Sequence, residues 1–276
     1  MKSEFLMTAR ISVILTVHND AQHIRKSIQS ILDQTHSNLE LIVVDDGSTD
    51  GTADVVSRIS DPRLNLVSAG RVGRGKALNA GLAASHAELI AIQDSDDLSH
   101  PRRLEVLARA MQNHKIDFLG SSAILFEDQD PEWPLIDDEP RAPIDVTLEL
   151  TMANPIPHIS LMMRRKVLED LGGYDEKRKV LFDYDLYIRA AAKGHHLHRL
   201  PISLAGKRIH AGQQFEKGAR ARYVFEMLRL QRQAISALRA RWWLVPAFPL
   251  LFCYRMLPRD FRLTVQRRRG LYNAQS

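Results

Sequence analysis

Residues 39–60 read LELIVVDDGSTDGTADVVSRIS. Residues 39–45 form a short run rich in Val, Ile and Leu, the texture of a strand covered on both faces. The run ends in a polar turn, Asp45-Asp46-Gly47-Ser48. Asp50-Gly51-Thr52 then supplies a turn and an N-cap. From Thr52 to Ser60 the apolar residues recur at helical spacing. Strand, acidic turn and helix together make one βα unit.

The same texture extends in both directions. Residues 11–17, 64–68 and 88–93 are further apolar runs, and 21–34 and 74–84 carry the helical period between them. Alternation of this kind implies βαβ units in a parallel sheet with helices on both faces. Pro101, whose missing N–H costs nothing in a first turn, predicts a helix over 101–113. Beyond Asp117 the pattern changes. A loop with Pro131, Pro134, Pro140 and Pro143 separates a strand-like 117–126 from a helical 146–152. A strand over 159–164 and helices over 165–171, 183–193 and 216–239 follow, then an apolar patch over 242–257. The expected fold is α/β, a mostly parallel sheet flanked by helices with a C-terminal helical extension. Residues 1–215 are read as the main domain and 216–276 as the extension.

Composition narrows the function classes. The chain is 45% hydrophobic and 26% charged, ordinary for a globular protein. A single cysteine, Cys253, excludes an internal disulfide or a cysteine-built zinc site and fits a reducing compartment such as the cytosol. The net charge of +5 is uneven: between Lys217 and Arg269 there are 13 Lys or Arg against two acids. The remainder is mildly acidic, so a uniformly basic nucleic-acid binder is not expected. The opening MKSEFLMTAR lacks the apolar core of a secretory signal, and no run of about 20 apolar residues predicts a spanning helix.

In open α/β sheets ligands bind at the carboxyl ends of the strands. Three polar clusters fall there: Thr16-Val17-His18-Asn19, Asp45-Asp46-Gly47-Ser48 and Asp94-Ser95-Asp96-Asp97. Each alone is what an ordinary turn contains; three at one edge of one sheet describe a site. The last cluster sets three carboxylates within four residues. A divalent cation relieves their repulsion, since hard cations take carboxylate and phosphate oxygens together.

With these motifs in view, the chain resembles a family 2 glycosyltransferase of the GT-A, Rossmann-like fold. The likeness runs through SVILTVHN (12–19), LIVVDDGSTDGTAD (41–54), GKALNAG (75–81) and AIQDSDDLSHPRRL (91–104). It continues in NPIPHISLMMRR (154–165), LGGYDE (171–176) and DYDLYIRAAAKG (183–194), and covers about residues 10–212 in the family's order. The resemblance implies an inverting transfer of a sugar from a nucleotide-diphosphate donor, expected to be a UDP-sugar, to an acceptor hydroxyl. By it, Asp45 and Asp46 contact the nucleoside, Thr16 and Asn19 line that pocket, and Arg71 or Lys76 lies near the phosphate or base. Asp94 and Asp96 form the D-x-D element for Mn2+ or Mg2+, with Asp96 the direct ligand, and His210 completes the site unless it is only a surface-loop histidine. The family's Glu-Asp pair reads Phe182-Asp183 here. Asp183 keeps the position of the base, against a plain helix N-cap, and Asp185 is the fallback.

Two rivals remain within reach of the sequence. A nucleotidyltransferase shares the fold class but needs a basic, glycine-rich loop after the first strand, where His18-Asn19-Asp20 stands. A catalytically silent sugar-nucleotide-binding protein is the reading that Phe182 favours. The stretch from Gly70 to Ala77 nearly spells a P-loop, yet Ala77 replaces the hydroxyl that would hold magnesium. At the C-terminus, Trp242, Trp243 and the arginines around residues 242–269 suit the boundary of an anionic membrane. Peripheral attachment to a cytoplasmic membrane face is therefore expected, with packing against the main domain or a second subunit as the alternative. A glycan or lipid-linked sugar acceptor, in cell-surface polysaccharide or glycolipid synthesis, suits that location.

Overall fold

The computed structural model describes residues 9–137, 142–209 and 220–256. Its first half follows the alternation of the sequence. Strands β1 (Ile11–Val17), β2 (Leu39–Asp45), β3 (Leu64–Ser68) and β4 (Leu89–Asp94) lie parallel in the order β3-β2-β1-β4. Helices α1 (Ile24–Leu32), α2 (Thr52–Ser57) and α3 (Arg74–Ala84) connect them. Thr16 is in register with Val44 on one side and Asp94 on the other, and Val17 with Asp45. The three polar clusters therefore start from one level of the sheet.

The second half makes the sheet mixed. β8 (Met162–Arg164) is antiparallel to β4 and to β6 (Phe118–Phe126), and β6 runs parallel to β9 (Leu197–Arg208). Short strands β5 (Leu98–Ser99) and β7 (Ile144–Asp145) pair antiparallel with β9. The long β9 has no counterpart in the sequence reading, and Pro201 explains why. Pro cannot donate to a ladder. Here Leu200 pairs with Ser121 and Ser203 with Ser122, so Pro201 and Ile202 fall in a bulge.

Two boundaries differ for similar local reasons. Residues His158–Ser160 form a 3-10 turn, with Ser160 Oγ donating to the carbonyls of Pro157 and Ser121, so β8 starts only at Met162. Helix α4 (Arg103–Asn113) begins two residues past Pro101, whose carbonyl accepts the Thr35 N–H at 2.9 Å.

Apolar burial fills both faces of the sheet. Along β1, Ile11, Val13, Leu15 and Val17 join the core under α1 and α4, while Ile14 faces the core with Leu78 of α3. Gly81 lets α3 approach: a Cβ there would lie 2.4 Å from Ile14 Cγ2. Overpacking of that kind costs about 1–3 kcal/mol. The second core continues into α5 (Arg165–Asp170) and α6 (Phe182–Ala192), and includes Leu230 and Ala234 of α7 (Arg220–Ala237). A 3-10 segment, Trp242–Ala247, and α8 (Phe248–Met256) close the described chain. Trp242 and Trp243 are 73% and 62% exposed. Among the described residues no helix is long and apolar enough to cross a membrane.

Candidate active site

At the end of β2 the acids are fixed by backbone. Asp46 is buried; its Oδ1 accepts N–H groups of Val72 at 2.7 Å and Gly73 at 2.8 Å, and its Oδ2 pairs with Arg71 at 2.5 Å. Asp45 Oδ1 accepts from the Ser48 N–H and hydroxyl. Gly47, at φ +71°, would bring a Cβ within 2.8 Å of Arg71 N, so only glycine lets the two loops meet. Asn19, at φ 55°, donates its N–H to Ser48 Oγ and accepts the Thr49 N–H at 2.8 Å. Thr16 is half-buried beside them. Asn19, Ser48 and Asp45 are thus linked by hydrogen bonds at the strand ends, with Thr16, Asp46 and Arg71 beside them. Lys76 is exposed on α3, and it is Arg74, two residues earlier, that reaches the acids.

Beyond β4 the three carboxylates take different environments. Asp94 forms an ion pair with Arg74. Asp97 is turned inward and accepts the Arg208 N–H at 2.7 Å. Burial, then the charges of Asp94 and Asp96, push its carboxyl well above the usual range. Asp94 and Asp96 are half-buried. The guanidinium of Arg74 is held more firmly protonated, chiefly by Asp94 and further by Asp183, Asp96 and Asp97. That places Asp183 in the same electrostatic neighbourhood.

Asp183 is the second residue of α6, and its carboxylate accepts Asn154 Nδ2 at 2.5 Å. Leu181 takes the N-cap position at φ 59° with no side-chain cap bond, so Asp183 is not the cap. Nearby, His158 Nε2 meets the Tyr174 hydroxyl at 2.9 Å. Burial lowers the His158 pKa against the opposing pull of Asp183. Burial, reinforced by Asp183, raises that of Tyr174. Asp185, the fallback base, is different: it is buried between Arg178 at 2.9 Å and Arg189 at 2.8 Å.

Sequence reasoning passed over Arg74, Asn154 and Tyr174. Arg74 does carry a signal in the sequence, since it opens α3 between two glycines. Asn154 and Tyr174 reach the site only through contacts distant in sequence. His210 lies outside the described residues.

Among the described residues no three His, Cys, Asp or Glu side chains converge as a metal cage. Two half-buried carboxylates do fit a hard cation that draws its other oxygens from substrate phosphate and water.

A four-stranded parallel α/β edge with acids at its carboxyl ends, extended by an antiparallel strand and a helix whose second residue is Asp183, is the architecture of a transferase of the α/β class. The comparisons are specific. Residues 12–172, more than half of the chain, match Glycosyl transferase family 2, and the chain belongs to that family. It is a glycosyltransferase. It is 29% identical over 77% of its length to an uncharacterized glycosyltransferase of Nostoc sp., covering 68% of that protein. It is 30% identical over 67% of its length to EpsE of Bacillus subtilis, named as a glycosyltransferase, again covering 68%. The fold is shared with S. aureus TarS bound to UDP-GlcNAc (TM-score 0.67, 21% identity, 89% of this chain and 72% of that one). It is also shared with the mannosyltransferase PcManGT of Pyrobaculum calidifontis bound to GDP-Man and Mn2+ (TM-score 0.62, 20% identity, 96% and 81%).

Proposed function

We propose that the enzyme transfers a sugar, with inversion, from a nucleoside-diphosphate donor of the UDP-sugar type to an acceptor hydroxyl. The observation that carries this reading is Arg74, which forms an ion pair with Asp94 of the acidic turn while its guanidinium is also held protonated by the charge of Asp183. Thr16, Asn19, Asp45 and Asp46 hold the nucleoside, with Arg71 closing the pocket over it. Arg74 takes an anionic partner and is placed for the diphosphate. Asp94 and Asp96 would hold Mn2+ or Mg2+, with His210 as a further ligand, and the bound ion would neutralise the leaving diphosphate. Asp183 accepts the proton of the attacking hydroxyl, and Asn154 orients its carboxylate. Phe182, where the family's glutamate stands, packs into the second core, leaving Asp183 as the base of that pair.

The test is a donor screen following nucleoside diphosphate release with Mn2+ or Mg2+, with Asp96→Ala as the control that should lose metal-dependent donor affinity. Pyrophosphate release instead would make the chain a nucleotidyltransferase. Donor binding without transfer or hydrolysis would make it a silent binding protein.

We place the enzyme at an anionic membrane face, acting on a glycan or lipid-linked sugar acceptor in cell-surface polysaccharide or glycolipid synthesis. The exposed Trp242, Trp243 and Leu250, beside Arg239 and Arg241, support this reading. Rings and long cationic side chains favour the headgroup boundary, where each basic residue adds about 1 kcal/mol. Co-sedimentation with anionic vesicles should be lost in a chain ending at Arg239. Equal, negligible binding of both chains would favour a homo-oligomer contact instead.

A further inference from the structure

Behind the acidic turn lies a polar network that the reaction itself does not use. Gln93 is 1% exposed and Arg103 is fully buried. Arg103 Nη1 donates to the carbonyls of Ile92 at 3.1 Å and Ile159 at 2.7 Å, and its Nη2 donates to Gln93 Oε1 at 3.3 Å. A guanidinium only donates, so its presence fixes the amide: Oε1 must face Arg103 and the Ser99 hydroxyl, and Nε2 must face the turn. Nε2 donates to the Asp97 carbonyl at 2.9 Å and reaches Ser27 Oγ at 3.1 Å. Ser27 Oγ in turn donates to the Asp94 carbonyl at 2.8 Å. Both ends of the segment from Asp94 to Asp97 are therefore tied to one side chain.

This arrangement is expensive. The guanidinium's acceptors are two carbonyls and an amide oxygen, none of them a carboxylate. Burial alone drives its pKa down to about 9, which leaves it charged at neutral pH. An unpaired buried charge is retained only where the surrounding structure gains from it. The gain visible here is geometric. Ile92 belongs to β4, which delivers the acids, and Ile159 belongs to the 3-10 turn that carries His158 on the acceptor side.

We infer that Gln93, oriented by the buried Arg103, is a positioning residue that sets the spacing of the Asp94 and Asp96 carboxylates for a divalent cation and locks that turn to the acceptor-side wall. The inference rests on the reading that this turn holds the metal. Gln93→Glu tests it. Glutamate has the same shape and keeps an oxygen for Arg103, so the fold has a charged partner in place of a neutral one. It also turns an acceptor toward the Asp97 carbonyl, breaking the tie.

The experiment is titration of the full chain with Mn2+ alone, reading free Mn2+ by electron paramagnetic resonance, beside the thermal midpoint of each variant. Loss of an outer-shell tie of this kind weakens metal binding by about 10–100-fold, and that is the expected result. A carboxylate acting only through its charge would tighten Mn2+ binding, so the sign separates the two roles. Unchanged or tighter binding in folded Gln93→Glu overturns the inference, whatever happens to the midpoint. If that variant does not fold, Ser27→Ala removes one tie alone; a smaller weakening in the same direction is expected, and unchanged affinity overturns the inference. A wild-type chain that binds no Mn2+ overturns the metal reading itself, and this inference with it.

Discussion

The two walls of the candidate site are built by different means. At the ends of β2 and β4, carboxylates are held by backbone: Asp46 by the N–H groups of Val72 and Gly73, Asp45 by that of Ser48, Asp97 by that of Arg208. Around the start of α6, Asp183 is held by one side chain, Asn154, and His158 by one hydroxyl, Tyr174. Backbone donors are insensitive to most substitutions, whereas side-chain partners change whenever the residue does. Under the proposed function, the first wall is committed to a common donor architecture, and the second is free to follow its acceptor.

Substitutions on each wall can break or sharpen this contrast. Asp183→Asn should have the largest effect. An amide cannot take the acceptor's proton, so turnover should fall by about 10²–10⁴ while calorimetric donor affinity stays near the wild-type value. Near-native turnover would remove Asp183 from the base role. Asn154→Ala comes next: losing a hydrogen bond to a charged group, worth about 1.5–3 kcal/mol, should lower acceptor kcat/KM by about tenfold or more, with donor affinity unchanged. A donor defect of equal size would erase the distinction between the walls.

Asp46→Asn probes the backbone-built side. It keeps one acceptor oxygen but loses the Arg71 pair, so the expected cost is about 1–3 kcal/mol, seen as a lower thermal midpoint and weaker nucleotide binding. An unchanged midpoint would mean that the loop from Gly70 to Gly73 stands without it. The smallest effect belongs to Asp61, whose carboxyl Arg63 holds below its usual range through a side-chain hydrogen bond. Because the folded pKa is the lower one, the stabilisation is present above the unfolded value near ~3.9 and fades as pH falls through the folded value. Asp61→Asn should cost up to about 1 kcal/mol at pH 7. The gap from wild type should close in acid; a gap constant with pH would mean that charge plays no part.

The same contrast governs what could be read in the sequence. β1, β2, β3 and α3 form at their expected bounds because each is dictated locally: apolar runs, buried on both faces in β1 and β2, and glycines where loops meet. The acids at the strand ends were legible for the same reason. β9 was not, because its bulge at Pro201 only makes sense opposite Ser121 and Ser122. Asn154, Tyr174 and the network around Arg103 were not, because their partners lie on other elements of the fold. Asp183 was visible only through family likeness, and its freedom from capping is a property of the fold.

The bond from the Arg208 N–H to Asp97 spans 111 positions of the chain. At a synthesis rate of about 5–20 residues per second, Asp97 leaves the ribosome some ~6–20 s before the residue that holds it. Throughout that interval β1 to β4 can assemble, but the acidic turn lacks one of its fixings. The acidic turn is therefore finished by the last strand to be made among the described residues. Any fragment ending before β9 would carry every acid of the turn and still lack the turn's final shape.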